Sequence, residues 1–314
     1  MQMMALLAAA LLNVAPQKVA PQKVAPQKID CRDLVTVQVL LDRNGFSPGE
    51  IDGKAGGNTT RALTAFQQAK RLPVTGAPDC QTREALGAEA ALVDYTIGRD
   101  VAAGPFADPI PDDLIEQSKL PSLGYQSLLE RLGEKFHASP ALLRQLNPDA
   151  RFAEGETIKV PAVDPFIATA KPVMQQKGAP LVRVEVSREG ALQVFRDDGS
   201  LAMFAPVTSG SEHDPLPTGQ WKVLSVNWMP PFNYNPDLFW DADPSHTKVL
   251  IKPGPNNPVG VVWIDIDKEH YGLHGTAEPG KVGHAQSHGC VRLTNWDAAR
   301  LATLVAPGTP VIFK

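Results

Sequence analysis

The 314-residue chain is too long for one ordinary core and reads as two or three domains. Its net charge is close to balance at −4, and no basic block is long enough to track a phosphate backbone, which excludes nucleic acid as a partner. Abundant Gly and Pro with few aromatics favour loop-rich, mainly β structure in at least part of the chain.

Met3 to Val14 is an apolar run of the length of a secretory-signal core and too short for a stable membrane span. It lacks the usual preceding positive residue, so a disordered tail is the competing reading. Lys28-Ile29-Asp30 is too polar to make Cys31 a lipoprotein cysteine. Three copies of Val-Ala-Pro-Gln-Lys, from Val14 to Lys28, cannot bury a hydrophobic face and predict an extended, solvated linker. Residues 1–30 are therefore read as a signal-like segment and a repeat linker.

Residues 31–90 form the first folded segment. Leu34, Val37, Leu40 and Leu41 have helical spacing, and Asn44 to Gly49 ends that helix as a turn. Asn58 or Thr59 is expected to cap a second helix carrying Ala62, Leu63, Ala65 and Phe66. Pro73-Val74-Thr75-Gly76 is a further turn, and Gln81 to Leu86 a short third helix. The result is a small all-α three-helix module with nothing catalytic in it. Val37 to Leu41, Gly45-Phe46, Ile51 to Lys54, Ala65-Phe66-Gln67 and Leu72 to Gly76 together resemble the peptidoglycan-binding domain 1 family. A helical spacer without a ligand is the alternative.

The Pro-rich stretch at 91–119 reads as a linker or an ordered strap. Residues 120–165 carry a helical stripe of Leu128, Leu129, Leu132 and Phe136, then a second helix capped by Ser139 with Leu142, Leu143 and Leu146. Gly155 to Pro161 reads as a turn into a short strand. This α+β pattern resembles a degenerate LysM unit, a strand–helix–helix–strand glycan-binding module. Its first strand would fall at Leu120 to Leu123, where alternation is poor. Glycan binding and a purely architectural role both remain open.

Residues 179–314 are mainly β. Leu181 to Val186, Ala191 to Phe195, Trp221 to Val226 and Val261 to Ile266 read as strands, with Asp197-Asp198-Gly199 as a hairpin turn. One main helix, Trp296 to Val305, is capped by Thr294 or Asn295, and Pro310 to Phe313 is a final strand.

The three cysteines are an odd set for an exported protein and imply one pair and one free thiol. Cys31 and Cys80 bracket the first small domain and are the natural disulfide. Cys290 is then a free thiol in an oxidising compartment, which calls for a function.

Cys290 lies in a dense polar stretch: Gly272-Leu273-His274-Gly275-Thr276, then Ser287-His288-Gly289-Cys290-Val291-Arg292. A thiol attacks as its thiolate, and a nearby imidazole can take its proton and lower its apparent pKa. That imidazole needs a third group to fix its tautomer, and Gly275 leaves a backbone carbonyl open for the task. Gly289 permits a tight turn that aims backbone N–H groups at an oxyanion. On residues alone, Cys290 could equally be a buried apolar thiol. Zinc on His274, His284, His288 and Cys290 is a further alternative, disfavoured by the short His-Gly-Cys spacing.

The same two stretches, with Pro217 to Trp221 and Gly254 to Gly260, resemble the YkuD-type L,D-transpeptidase family over the whole third segment. The resemblance implies that Cys290 is the nucleophile, His274 the base and Gly275 its orienting carbonyl. His288 and Gly289 would shape the oxyanion region. Arg292, Ser287 and Thr276 would meet the substrate, with a structural salt bridge as the other role for Arg292. It implies acyl transfer without a metal or organic cofactor: release of D-alanine from a peptidoglycan stem tetrapeptide and transfer to an amine. That amine would lie on another stem or on a wall-anchored protein. An L,D-carboxypeptidase would use the same residues, and a non-catalytic wall-binding protein is the remaining alternative. Peptidoglycan stem peptides and glycan strands are the expected partners, and the periplasm or cell envelope the expected location.

Overall fold

In the computed structural model, residues 30–107, 109–175, 182–285 and 287–314 are described. The signal-like segment and the repeat linker lie outside the described residues, as does Leu181 at the start of the first expected catalytic strand. No helix among the described residues is long and apolar enough to cross a membrane.

The first segment folds as α1 (Leu34–Arg43), α2 (Gly57–Ala69) and α3 (Cys80–Leu86), around Val37, Leu40, Leu41, Phe46, Leu63 and Phe66. Asp33 and Asp79 cap α1 and α3 by accepting from the N–H groups of Thr36 and Thr82. Cys31 and Cys80 are joined by a disulfide across this bundle. Neither Asn58 nor Thr59 caps α2. The cap position is Gly56, without a side-chain bond, because Asn58 is engaged elsewhere: its Nδ2 donates to Val282 O at 2.9 Å.

The middle of the chain forms β1 (Leu92–Thr96), α4 (Arg99–Ala102), α5 (Leu114–Lys119), α6 (Leu128–Lys135), α7 (Pro140–Leu146) and β2 (Thr157–Pro161). β1 and β2 pair antiparallel, with Leu92 opposite Pro161 and Thr96 opposite Thr157. The stretch read as linker or strap thus holds a strand and two helices. The strand that pairs with β2 is Leu92–Thr96, not Leu120 to Leu123. Pro121 and the burial of Leu123 against the Tyr234–Ile251 cluster take the latter out of any ladder.

The third segment builds a nine-stranded sheet with one helix. Its strands are β3 (Val182–Ser187), β4 (Ala191–Arg196), β5 (Leu201–Pro206), β6 (Thr208–Ser209) and β7 (Gly219–Trp228). A separate hairpin, β8 (Phe232–Tyr234) with β9 (Val249–Ile251), precedes β10 (Val262–Ile266), β11 (Gly272–His274) and β12 (Val291–Arg292). Helix α8 (Asn295–Ala302), capped by Thr294, and β13 (Pro310–Phe313) complete it. The sheet order is β5-β4-β3-β13-β7-β10-β11-β12-β6, antiparallel except for the β13/β3 and β11/β12 pairs. Val184, Val194, Val223, Ile264, Leu273 and Val311 from the sheet pack with Trp296 and Leu301 of α8.

Residues Cys31–Lys314 form one compact unit, and polar bonds join its parts. Ser47 donates to Asp297 Oδ2 at 2.8 Å, and Arg300 donates to Asp42 O at 3.2 Å. His137 donates from Nδ1 to Asp42 and stacks on Trp296 with 5.1 Å between ring centroids. Phe204 of β5 is buried in the helical bundle, where Ser47 N–H donates to its carbonyl and its own N–H donates to Gly45 O. The buried Asp297 carboxyl is raised to about 7, chiefly by burial and then by the Asp42 charge.

The disulfide closes a loop with a sequence separation of 49. Replacing both Cys31 and Cys80 with Ser should lower the unfolding free energy by about 2–4 kcal/mol. Urea unfolding of the oxidised protein and the double variant measures this; an unchanged midpoint at equal m-value would show that the bridge constrains nothing.

Candidate active site

Parallel pairing of β11 with β12 sets His274 opposite Arg292 in register. Cys290 directly precedes β12, so thiol, imidazole and guanidinium reach one cavity. That cavity has a volume of about 1050 Å³, and its lining includes Cys290, His274, Arg292, His288, Tyr271 and Trp263.

His274 is buried, and its Nδ1–H donates to Gly275 O at 2.6 Å. The proton on Nδ1 leaves Nε2 with a free lone pair. The ring stacks on Trp263 at 5.5 Å, and Trp263 can lie there because a Cβ on Gly272 would come within 2.5 Å of its indole. Burial, reinforced by the Arg292 charge, lowers the His274 pKa to about 3, although the bond to Gly275 opposes the shift. Burial also pushes the Cys290 thiol up, against the opposing effects of Gly272 N–H and Arg292. The thiol points at His270 O, 3.6 Å from Sγ. Both shifts favour the neutral thiol and the neutral imidazole over the thiolate that a neighbouring His would favour.

Gly289 has φ +102°, and a Cβ there would approach the Tyr271 ring to within 2.9 Å. Only glycine satisfies both the left-handed backbone and the contact. His288 turns toward the hairpin, donating from Nε2 to Asp241 Oδ1 at 2.8 Å and packing edge-on to Phe239. Arg292 is largely buried, and burial lowers its pKa. Its Nε is buried without a hydrogen-bond partner, and no Arg292 salt bridge occurs among the described residues.

Two of the expected substrate contacts have other work. Ser287 is buried at the cavity edge, donating to Cys290 O at 2.7 Å and accepting from Gly210 N–H at 2.7 Å, so its hydroxyl clamps the turn before the nucleophile. Thr276 is buried away from the cavity lining and accepts from Glu278 N–H. His284 borders a separate small cavity beside Glu50. Tyr271, Trp263 and Asp241 went unread in the sequence; the one available signal was Tyr271 adjoining the Gly272-Leu273-His274 stretch.

The β8–β9 hairpin walls the cavity from the far side. It packs on the stretch from Ile110 to Leu123, and His246 ties the two by donating to Asp113 at 3.0 Å while bonding Tyr234 OH. On the other side, Asn58 and Arg61 of α2 hold the carbonyls of Val282 and Gly283, in the loop that leads to Cys290.

Residues 181–313 match the family profile of the L,D-transpeptidase catalytic domain, YkuD, and residues 32–86 that of the peptidoglycan-binding domain PG_binding_1. The chain is 45% identical over 60 residues to a protein named L,D-transpeptidase YkuD from Bacillus licheniformis, covering 19% of this chain and 36% of that protein. It is 25% identical over 186 residues to the Bacillus subtilis protein of the same name, covering 58% of this chain and 91% of the other. A solved L,D-transpeptidase from Mycobacterium smegmatis aligns at 19% identity and a TM-score of 0.35, over 51% of this chain and 74% of that one.

Two outcomes test the geometry. The rate of Cys290 labelling by iodoacetamide should rise with a midpoint above the ordinary thiol value of about 8.5; a midpoint near or below neutrality would indicate a resting thiolate–imidazolium pair. Gly289→Ala should fold yet lose turnover by about 100-fold, because the shifted turn displaces the nucleophile by a fraction of an ångström to an ångström. Retention of full turnover would remove the steric argument.

Proposed function

We propose that this chain, which carries an L,D-transpeptidase catalytic domain, acts on peptidoglycan stem peptides by cysteine acyl transfer. The observation that carries this reading is the convergence of Cys290, an Nδ1-tethered His274 and an unpaired Arg292 on one cavity. Such a constellation suits attack on an amide with an anionic neighbour.

In the proposed reaction, His274 Nε2 takes the thiol proton as Sγ attacks the carbonyl carbon of the L-configured centre. Moving the proton only during attack fits a pair in which both partners rest neutral. Backbone N–H groups of the turn at Gly289 stabilise the oxyanion. His274 then returns the proton to the departing D-alanine amine as the C–N bond breaks, which leaves a thioester on Cys290. An acceptor amine, deprotonated by His274, attacks the thioester, forms the new amide and restores the thiol. Arg292 pairs with a substrate carboxylate during both steps.

Residues 32–86 would hold the enzyme on the wall, as their family's description states. The antiparallel β1–β2 pair with α6 and α7 between its strands supports a LysM-like reading of the middle unit, in which α4 and α5 are additions after β1. The disulfide supports an oxidising compartment, consistent with an envelope location.

Incubating full-length protein with purified tetrapeptide muropeptides, followed by mass spectrometry, tests the reading. Cross-linked dimers with loss of D-alanine are expected, and Cys290→Ala should abolish them. Tripeptides alone would make the enzyme a carboxypeptidase, and unchanged substrate would end the catalytic proposal.

A further inference from the structure

The middle unit reaches into the catalytic centre through one buried carboxylate. Glu134, on α6, is 8% exposed and faces no Lys or Arg at salt-bridge distance among the described residues. Its Oε2 accepts from Tyr125 OH at 2.5 Å, and its Oε1 accepts from Asn295 Nδ2 at 2.5 Å. Burying a carboxyl group costs several kcal/mol unless hydrogen bonds offset it, and here burial raises its pKa to about 7. A costly group at a junction between two folded parts calls for a role beyond packing.

The role follows from what Asn295 touches. Asn295 is fully buried at the start of α8. Its Nδ2 also donates to Pro255 O at 3.0 Å, and its Oδ1 accepts from Val261 N–H at 3.1 Å. Those partners fix the amide's orientation, since Val261 N–H only donates and Pro255 O only accepts. The carboxamide lies flat against two backbone segments. A Cβ on Gly260 would come within 2.0 Å of Asn295 Oδ1, and one on Gly275 within 2.1 Å. Gly275 is the residue whose carbonyl holds His274 Nδ1 at 2.6 Å. A single buried path therefore runs from Tyr125 through Glu134 and Asn295 to the peptide that orients the imidazole.

We propose that Glu134 is a positioning residue for the transpeptidase reaction: it clamps the Asn295 carboxamide against Gly275 and so fixes the carbonyl that sets the tautomer and direction of His274. The middle unit is then a structural part of the catalytic centre. The proposal rests on the reading of His274 as the base. Glu134 touches no reacting atom, so its effect falls on the rate of the chemical step and not on substrate affinity.

The test compares Glu134→Ala, Glu134→Gln and Tyr125→Phe in the full-length protein, with muropeptide turnover normalised to the fraction of Cys290 that labels stoichiometrically in folded protein. Gln keeps an oxygen for Asn295 and can donate its amide to the Tyr125 hydroxyl, which rotates to accept. Glu134→Ala should lower kcat by about 10- to 100-fold at nearly constant KM. Glu134→Gln should retain most of kcat, and Tyr125→Phe, which leaves the ring packing in place, should lie between. If Glu134→Ala does not fold, the Gln and Phe variants still decide the matter. Wild-type kcat in Tyr125→Phe with a severe loss in Glu134→Gln would overturn the clamp, as would a rise in KM alone. His274→Ala separates this from the premise: if that variant turns over normally, the base is misassigned whatever the Glu134 series shows.

Discussion

The parallel pairing of β11 with β12 is the constraint on which the site depends. Parallel neighbours need a long crossover, and here the 15 residues between His274 and Cys290 supply it as a loop. The crossover brings Cys290 in at the start of β12 while His274 ends β11 opposite Arg292, so groups far apart in sequence come onto adjacent strands. Among its described residues the loop holds one short turn, Pro279–Lys281, and bonds from other elements brace it. Ser287 clamps its exit through Gly210, Thr208 accepts from Gly283 N–H, and Asn58 with Arg61 holds its middle from the helical bundle.

The surroundings of Cys290 and His274 favour the neutral form of each. Removing an imidazole and a thiol from water disfavours both charged forms, and a nearby guanidinium adds to the effect on the imidazole. The charge of Arg292 adds to burial in favouring neutral His274, and its own Nε stays buried without a hydrogen-bond partner. A neutral thiol is also less prone to oxidation than a thiolate, since oxidation follows thiolate character.

The two stretches of the candidate site were legible because their geometry is local. His274-Gly275 and Gly289-Cys290 announce an imidazole beside an open carbonyl and a thiol after a tight turn, and both arrangements are present. Helices α1, α6 and α7 were legible because apolar periodicity and capping residues agree. What escaped reading depended on long-range partners. Asn58 has the chemistry of a helix cap, but the loop at Val282 claims it. The backbone bonds made by the Ser287 and Thr276 hydroxyls have no local signature either. The strand Leu92–Thr96 is half exposed on a two-stranded sheet and lies 61 residues from its partner in the Thr96–Thr157 pair, so no local pattern announces it. The β8 and β9 strands are three residues each, too short to show alternation.

Phe204 carries a consequence of a different kind. It lies on β5, which is an outer strand of the nine-stranded sheet and would otherwise present a row of open backbone groups to solvent. The helical bundle covers it: Gly45 O and Ser47 N–H take up the free valences at Phe204, and the phenyl ring is buried beside Phe46 and Phe66. The opposite outer strand, β6, is only two residues long. A module whose family is named for wall binding therefore also covers a sheet edge. The bundle occupies the backbone groups at Phe204 through which a second copy of this sheet would pair along β5.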